Sequence, residues 1–391
     1  MYLARRALEI NPSPTLAINA KAKELIGKGI DIIGLGAGEP DFNTPENIIQ
    51  AAYDSMKKGQ TKYTAAAGVP ELKQSVIDKF KRDNGLIYNQ NQIIITNGAK
   101  HALYNFLQAV CNNGDEVIIP VPYWVSYPEM VKLAEGVPVY VEGKADNNYK
   151  ITPEQLENAI SKKTKVFIIN SPNNPTGTIY THNELLEIAR VCEKHQILIV
   201  SDEIYEKLIY GNHAHFSIAS VSEDAFERTT VINGVSKPYS MTGWRIGYAA
   251  GNAKIIKTMA DISSHSTSNP VSFAQYGAIE AMNGPQDELI RMKNEFENRR
   301  NFVLEQIKDI GGFKPIIPSG AFYVFIDISD ILRGKYSDAD QWSEDLLEKA
   351  KVAVVPGSGF GSPNFIRLSY ATSLEQLDEG IKRIKEFIRT N

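Results

Sequence analysis

The chain has 391 residues, of which 43% are hydrophobic and 23% charged, and its formal net charge is −4. That length exceeds what a single core usually fills, so about two domains are expected, and the composition excludes a disordered or fibrous chain. The near-neutral balance, without any basic block, excludes the electrostatic footprint of a nucleic-acid or anionic-membrane binder.

The first 16 residues carry Arg5 and Arg6 but lack the apolar stretch of a secretory signal. Two cysteines, Cys111 and Cys192, leave no disulfide framework and no multi-cysteine metal site, which points to a reducing compartment. The most apolar runs, 166–169 and 197–200, are strand-sized and too short to cross a membrane. A cytoplasmic protein is expected, with no membrane and no nucleic acid among its partners.

From Pro45 onward, short β-branched runs alternate with helical patterns. Strands are predicted at 93–96, 116–119, 137–141, 166–170, 197–200, 230–232 and 246–249. Thr152-Pro153-Glu154-Gln155 and Thr181-His182-Asn183-Glu184 both match the capping box, the first with proline at the opening helical position. Strands alternating with helices predict an α/β fold, a mostly parallel sheet covered on both faces. Beyond about residue 271 the pattern turns to long helices, with charged faces along 286–308. Strands at 321–326 and 352–355 follow, and Ser373 caps a last helix running to about 389. The chain is divided accordingly into a large domain, 44–290, and a smaller α/β domain made of 1–43 and 291–391. The first 43 residues fit neither the sheet pattern nor a core of their own, so they are expected to pack on the C-terminal part.

The chemistry concentrates in 236–248, where Lys237 and Arg245 stand among small and aromatic neighbours. A lysine attacks a carbonyl carbon only when unprotonated, and its pKa falls when it is desolvated or set beside another cation. Arg245 can be that cation, and its planar fork also suits a phosphate. Pyridoxal 5'-phosphate offers an aldehyde and a phosphate together, and its enzymes hold it as a lysine Schiff base with an acid at the ring nitrogen. A solvated face is the plain alternative for this pair.

Asp202 and Tyr205 follow the predicted strand 197–200, at the carboxyl end where open α/β sheets bind ligands. A carboxylate there would keep a pyridine nitrogen protonated and a phenol would bond the ring hydroxyl, with simple helix capping as the other reading. Gly98, followed by Ala99 and Lys100, lets the backbone approach an anion in front of free helix-start amides, unless the glycine serves the turn alone. Pro172, Pro175 and Gly177 rigidify a loop that fixes Asn173 and Asn174. Arg367, inside the apolar run 365–370, needs a carboxylate or phosphate partner, whether a ligand or an internal acid. Trp124 follows another strand and either stacks on a planar ring or fills core. Residues 34–38 and 357–361 mimic a dinucleotide fingerprint but have the wrong spacing. His213 and His215 lie in a loop with no thiol nearby, and no metal site is assigned.

Taken together, these residues resemble a class I aminotransferase of the pyridoxal-phosphate fold-type I superfamily, closest to the bacterial aspartate aminotransferase subgroup. The resemblance covers nearly the whole chain: Ala37-Gly38-Glu39-Pro40-Asp41-Phe42, Tyr63 with 68–72, then 171–177, 201–205, 236–248 and Arg367, in that order. It implies that Lys237 forms the Schiff base, that Asp202 pairs with the pyridine nitrogen, and that Tyr205 and Asn174 hold the ring hydroxyl. Trp124 would stack near the ring and help bind substrate, while Gly98, Ala99, Ser236 and Arg245 surround the phosphate. Tyr63 would reach the phosphate of the neighbouring subunit in a homodimer. Arg367, Asn174 and the backbone of Gly38 would hold the substrate α-carboxylate.

Two departures bear on substrate choice. The segment 263–268 lacks the arginine that, in the best-known subgroup, reaches a distal carboxylate from the partner chain; the resemblance implies a lysine beside the phosphate loop instead, where Lys100 stands, and Ala99 stands where a glycine is expected. The implied reaction moves the amino group of aspartate or glutamate to a 2-oxo acid. An aromatic or broad-specificity aminotransferase, and a lyase or synthase on the same fold, are the alternatives.

Overall fold

The computed structural model describes residues 2–12 and 14–390. A short strand, β1 (Ile33–Gly34), precedes the large sheet, which is built from β2 (Ile93–Thr96), β3 (Glu116–Val121), β4 (Val137–Glu142), β5 (Thr164–Asn170), β6 (Leu198–Asp202), β7 (Thr229–Gly234) and β8 (Gly247–Ala250). Its order is β2-β8-β7-β6-β5-β3-β4. The pairs from β7 across to β4 are parallel, whereas β8 runs antiparallel to both β7 and β2. The carboxyl ends of β2, β3, β5, β6 and β7 and the amino end of β8 therefore share one edge.

These strands read as continuous apolar runs because both faces are covered. Ile94, Val117, Ile119, Ile168 and Val200 pack with Leu103 and Phe106 of the helix Ala99–Val110. The alternate residues Ile118, Phe167, Ile169 and Ile199 meet Leu185 and Ile188 of the helix His182–Lys194. Ile93, Ile95 and Val231 pack against Leu72, Val76 and Phe80 of the helix Pro70–Asn84. Both predicted capping boxes are formed.

The second sheet comprises β9 (Lys314–Ile316) and β10 (Tyr323–Asp327), and, after β11 (Val352–Ala353), the strands β12 (Val355–Pro356) and β13 (Phe365–Ser369). Its order is β12-β13-β10-β9, all antiparallel, while β1 pairs parallel with β11. Two expectations are corrected here. The run 352–355 is not one strand: it breaks at Val354, and the two halves pair with β1 and β13 respectively. The strand expected from 321 starts at Tyr323, because Ala321 takes a left-handed φ of 60°.

Ile33 and Leu35 share a core with Phe322, Val324 and Leu368, and Ala22 packs with Leu347 and Ala353. Within the helix Asp287–Ile307, Leu289 joins a core of the large sheet, whereas Phe296, Val303 and Ile307 join the core of the small one. On this partition of the cores we propose the division into 44–290 and 1–43 with 291–391. Among the described residues no helix is long and apolar enough to cross a membrane.

Just past β6, the buried acids Glu203 and Glu206 are compensated from several elements. Lys79 pairs with Glu206 and donates to Asn84 Oδ1 at 2.8 Å. His215 Nε2 lies 3.0 Å from Glu203 Oε2, and the Ser201 and Ser217 hydroxyls donate to Glu203 Oε1 at 2.8 and 2.7 Å. His213 is exposed. Burial alone would raise the Glu206 carboxyl, but Lys79, His215 and Lys207 draw it down to about 2. The stability it confers is therefore complete above its unfolded value of 4.5 and is lost as pH falls toward 2. Glu206→Gln leaves the Lys79 ammonium buried without its partner and should cost about 3–5 kcal/mol, whereas Lys79→Met with Glu206→Leu should regain most of that. Urea denaturation at neutral pH measures both.

Candidate active site

The shared strand edge borders a cleft of about 490 Å³ whose other wall carries Gly38, Tyr323 and Arg367. The turn after β7 places Lys237 there, closed by backbone bonds from Tyr239 N to Val235 O at 3.3 Å and from Met241 N to Ser236 O at 3.1 Å. Lys237 Nζ donates to the Gly38 carbonyl at 2.6 Å. Burial lowers its pKa to about 8; Arg367 and Arg245 push the same way, against Glu39 and Asp202. A substantial neutral fraction of this amine thus exists near physiological pH.

Asp202 closes β6 and is 5% exposed. The Tyr127 hydroxyl donates to its Oδ2 at 2.7 Å and the Ile204 N–H to Oδ1 at 3.3 Å. Burial raises this carboxyl to about 6, with Tyr127 and Ile204 restraining the rise. Asn170 Nδ2 donates to the Asp202 carbonyl at 2.8 Å, and the Asn174 N–H donates to Asn170 Oδ1 at 2.8 Å, so the ends of β5 and β6 are tied together. Tyr205 shares a 3.0 Å hydrogen bond between its hydroxyl and that of Tyr323.

At the end of β2, Gly98 has φ +85°, and a Cβ there would run into the Arg245 guanidinium. The helix Ala99–Val110 starts beside it, so its first amides are free to meet an anion. Because β8 runs in reverse, Arg245 at its amino end reaches the same edge; it donates to the carbonyls of Thr242 at 2.7 Å and Asn97 at 3.4 Å. Gly247 is required here too, since a Cβ would overlap the Ala99 backbone. Lys100 lines the cleft with Nζ 4.9 Å from the Trp124 ring centroid, and burial and then Arg245 lower its pKa. Ser236 also lines this pocket.

Arg367 is 2% exposed and stacks 4.1 Å from the Tyr323 ring centroid. Nη1 donates to Asn174 Oδ1 and Nη2 to the Gly36 carbonyl, each at 3.0 Å, while Nε has no partner. Among the described residues no carboxylate forms an ion pair with it, so the internal acid left open by the sequence is not what it serves. Such a guanidinium is suited to a bidentate anion.

The cleft thus gathers Gly38, Ala99, Lys100, Trp124, Asn174, Asp202, Tyr205, Ser236, Lys237, Arg245 and Arg367. Tyr63 is not among the residues lining it and is 90% exposed. Sequence reasoning missed Tyr127, Asn170 and Tyr323. Asn170 sits at a predicted strand end and was within reach; the two tyrosines look like ordinary core residues until the fold aims their hydroxyls.

Pyridoxal 5'-phosphate fits this donor set: a desolvated lysine, a buried carboxylate, a glycine cradle closed by an arginine, and an arginine with an orphaned Nε. The family model for aminotransferase class I and II matches residues 30–384. The chain is 58% identical over 388 residues to an aspartate aminotransferase of Bacillus sp. (strain YM-2), covering 99% of each chain. It is likewise 58% identical to that of Bacillus subtilis (strain 168), again over 99% of each. Among solved structures, the aspartate aminotransferase of Thermus thermophilus with maleate superposes with a TM-score of 0.95 at 44% identity over 99% of each chain. The chain belongs to the class I and II aminotransferases, with the fold-type I architecture and the pyridoxal 5'-phosphate cofactor of the class I enzymes.

Proposed function

We propose that this aminotransferase moves the amino group of L-aspartate, or of glutamate, to 2-oxoglutarate or another 2-oxo acid in two half-reactions. The observation that carries this reading is Arg367, a buried guanidinium held by a carbonyl and an amide oxygen with no acid of its own. It suits the α-carboxylate common to every amino acid, with Asn174 and the Gly38 backbone beside it. Lys100 is a further cation in the same cleft, beside those given to the cofactor, and a distal carboxylate is what it suits. The relatives named aspartate aminotransferase, and the solved one holding maleate, a four-carbon dicarboxylate, support that choice.

Bound pyridoxal phosphate supplies an electron sink for the charge left when the substrate Cα loses its proton. Lys237 Nζ takes that proton and returns it, a task suited to an amine whose pKa is brought down toward neutrality. Asp202 would place its negative charge at the pyridine nitrogen, and Tyr205 and Asn174 would hold the ring hydroxyl. Trp124 would stack near the ring. The Gly98 and Ala99 backbone, Ser236 and Arg245 would hold the phosphate.

The chain is proposed to act as a cytoplasmic homodimer. Tyr63, exposed in the single chain, would reach the partner's phosphate, and Ile49, Tyr53 and Met56, on the helix Glu46–Lys57, offer exposed apolar surface for such a contact.

Two measurements test this reading. Cofactor uptake by the apoprotein requires neutral Lys237, so its rate should climb with pH and level off above pH about 8. A rate still climbing toward 10.5, the value of an ordinary lysine, would show that the amine is not perturbed. In a panel of amino donors, Lys100→Ala should lower kcat/KM for aspartate by about 1–3 kcal/mol, roughly 5- to 150-fold, and spare alanine and phenylalanine. Arg367→Ala should lower all of them together. Equal losses across the panel for Lys100→Ala would turn the assignment toward a broad or aromatic aminotransferase.

A further inference from the structure

We infer that Tyr127 is a positioning residue for the reaction: its hydroxyl holds the Asp202 carboxylate ionised and turned, so that charge faces the cofactor's ring nitrogen. This rests on the reading that Asp202 meets that nitrogen.

The geometry is specific. Tyr127 is 2% exposed and opens the helix Tyr127–Leu133, which follows the end of β3. Its N–H donates to the Trp124 carbonyl at 3.0 Å, and the two rings meet edge to face at 5.3 Å. One turn therefore carries both the indole that lines the cleft and the phenol beneath it. The Tyr127 ring packs among Ile119, Met130 and Ile168, so the hydroxyl is aimed by a filled core, and its 2.7 Å bond ends on Asp202 Oδ2.

The chemistry follows from what else faces that carboxylate. Glu203 is its neighbour along the chain and opposes ionisation, Lys237 favours it from the turn after β7, and Tyr205 lies close by. Against burial, the donors on the carboxylate are Tyr127 and the longer contact from the Ile204 N–H. Tyr127 itself cannot become an anion here, because burial and then Asp202 push its own ionisation far up. It remains a donor, and the carboxylate it stabilises is the charged form that a pyridinium requires.

The test uses apoprotein labelled with carbon-13 at the aspartate side-chain carboxyl, with the Asp202 signal assigned by its loss in Asp202→Asn. Tyr127→Phe should raise the Asp202 titration midpoint by about one pH unit, a tenfold gain in proton affinity. Replacing Tyr127 by 3-fluorotyrosine, a stronger donor of nearly the same shape, should lower it. In the loaded enzyme, Tyr127→Phe should reduce kcat about tenfold with KM changed less than about twofold, and should move the acidic limb of the kcat profile upward. A residue that merely fills space would not shift the titration in opposite directions for the two replacements. An unmoved Asp202 signal overturns the inference, as does a moved signal with unchanged kcat. Full turnover in Asp202→Asn would instead remove the reading of Asp202 on which it rests.

Discussion

Three cations at the cleft rest on carbonyl and amide oxygens where a carboxylate would normally be found. Lys237 donates to Gly38, Arg367 to Gly36 and Asn174, and Arg245 to Thr242 and Asn97. These dipoles orient the positive groups without neutralising them, so each retains its capacity for an anion that arrives from solvent. The arrangement costs stability at Lys237 and Arg367, because their desolvated charge is only partly compensated. On the proposed reading it preorganises attraction for a phosphate at Arg245 and a carboxylate at Arg367. Asp202 is an acid placed in the opposite sense, and it too is restrained by hydrogen-bond donors that keep it usable as a charge.

The topology explains how residues so far apart in the chain converge. A parallel sheet delivers strand ends to one edge, which brings Ala99, Trp124, Asn174, Asp202 and Lys237 together. Reversal of β8 adds the residues before a strand to the residues that follow the others, and this brings Arg245 against Gly98. The second sheet supplies Arg367 from the middle of β13, opposite Phe325. The 36–38 segment crosses between the two walls and touches Arg367 with the Gly36 carbonyl and Lys237 with the Gly38 carbonyl.

Much of this was legible in the chain before any coordinates. The buried strands of the large sheet announced themselves as β-branched runs because both of their faces meet helices, and the helix starts at Thr152 and Thr181 were readable because capping chemistry is local. Lys237 stands out by its nearness to Arg245, Asp202 by its place after a strand end, and Arg367 because a charge within an apolar run needs a partner. What stayed hidden depends on distant contacts. The split at Val354 is decided by which strands lie on either side of it, and the late start of β10 by the backbone of Ala321. Tyr127 and Tyr323 carry aromatic rings indistinguishable from core until the fold sets one hydroxyl on Asp202 and the other on Tyr205. The carbonyl partners of the cations have no sequence signature, since every residue has a carbonyl.

The claim on which the account turns is that Lys237 alone, among the lysines, carries the cofactor. The direct measurement is borohydride reduction of the loaded enzyme followed by peptide mapping. The account predicts that the cofactor label is found on the peptide containing Lys237 and that Lys237→Ala abolishes it. Label on Lys100 or on any other lysine would contradict the assignment of the entire cleft.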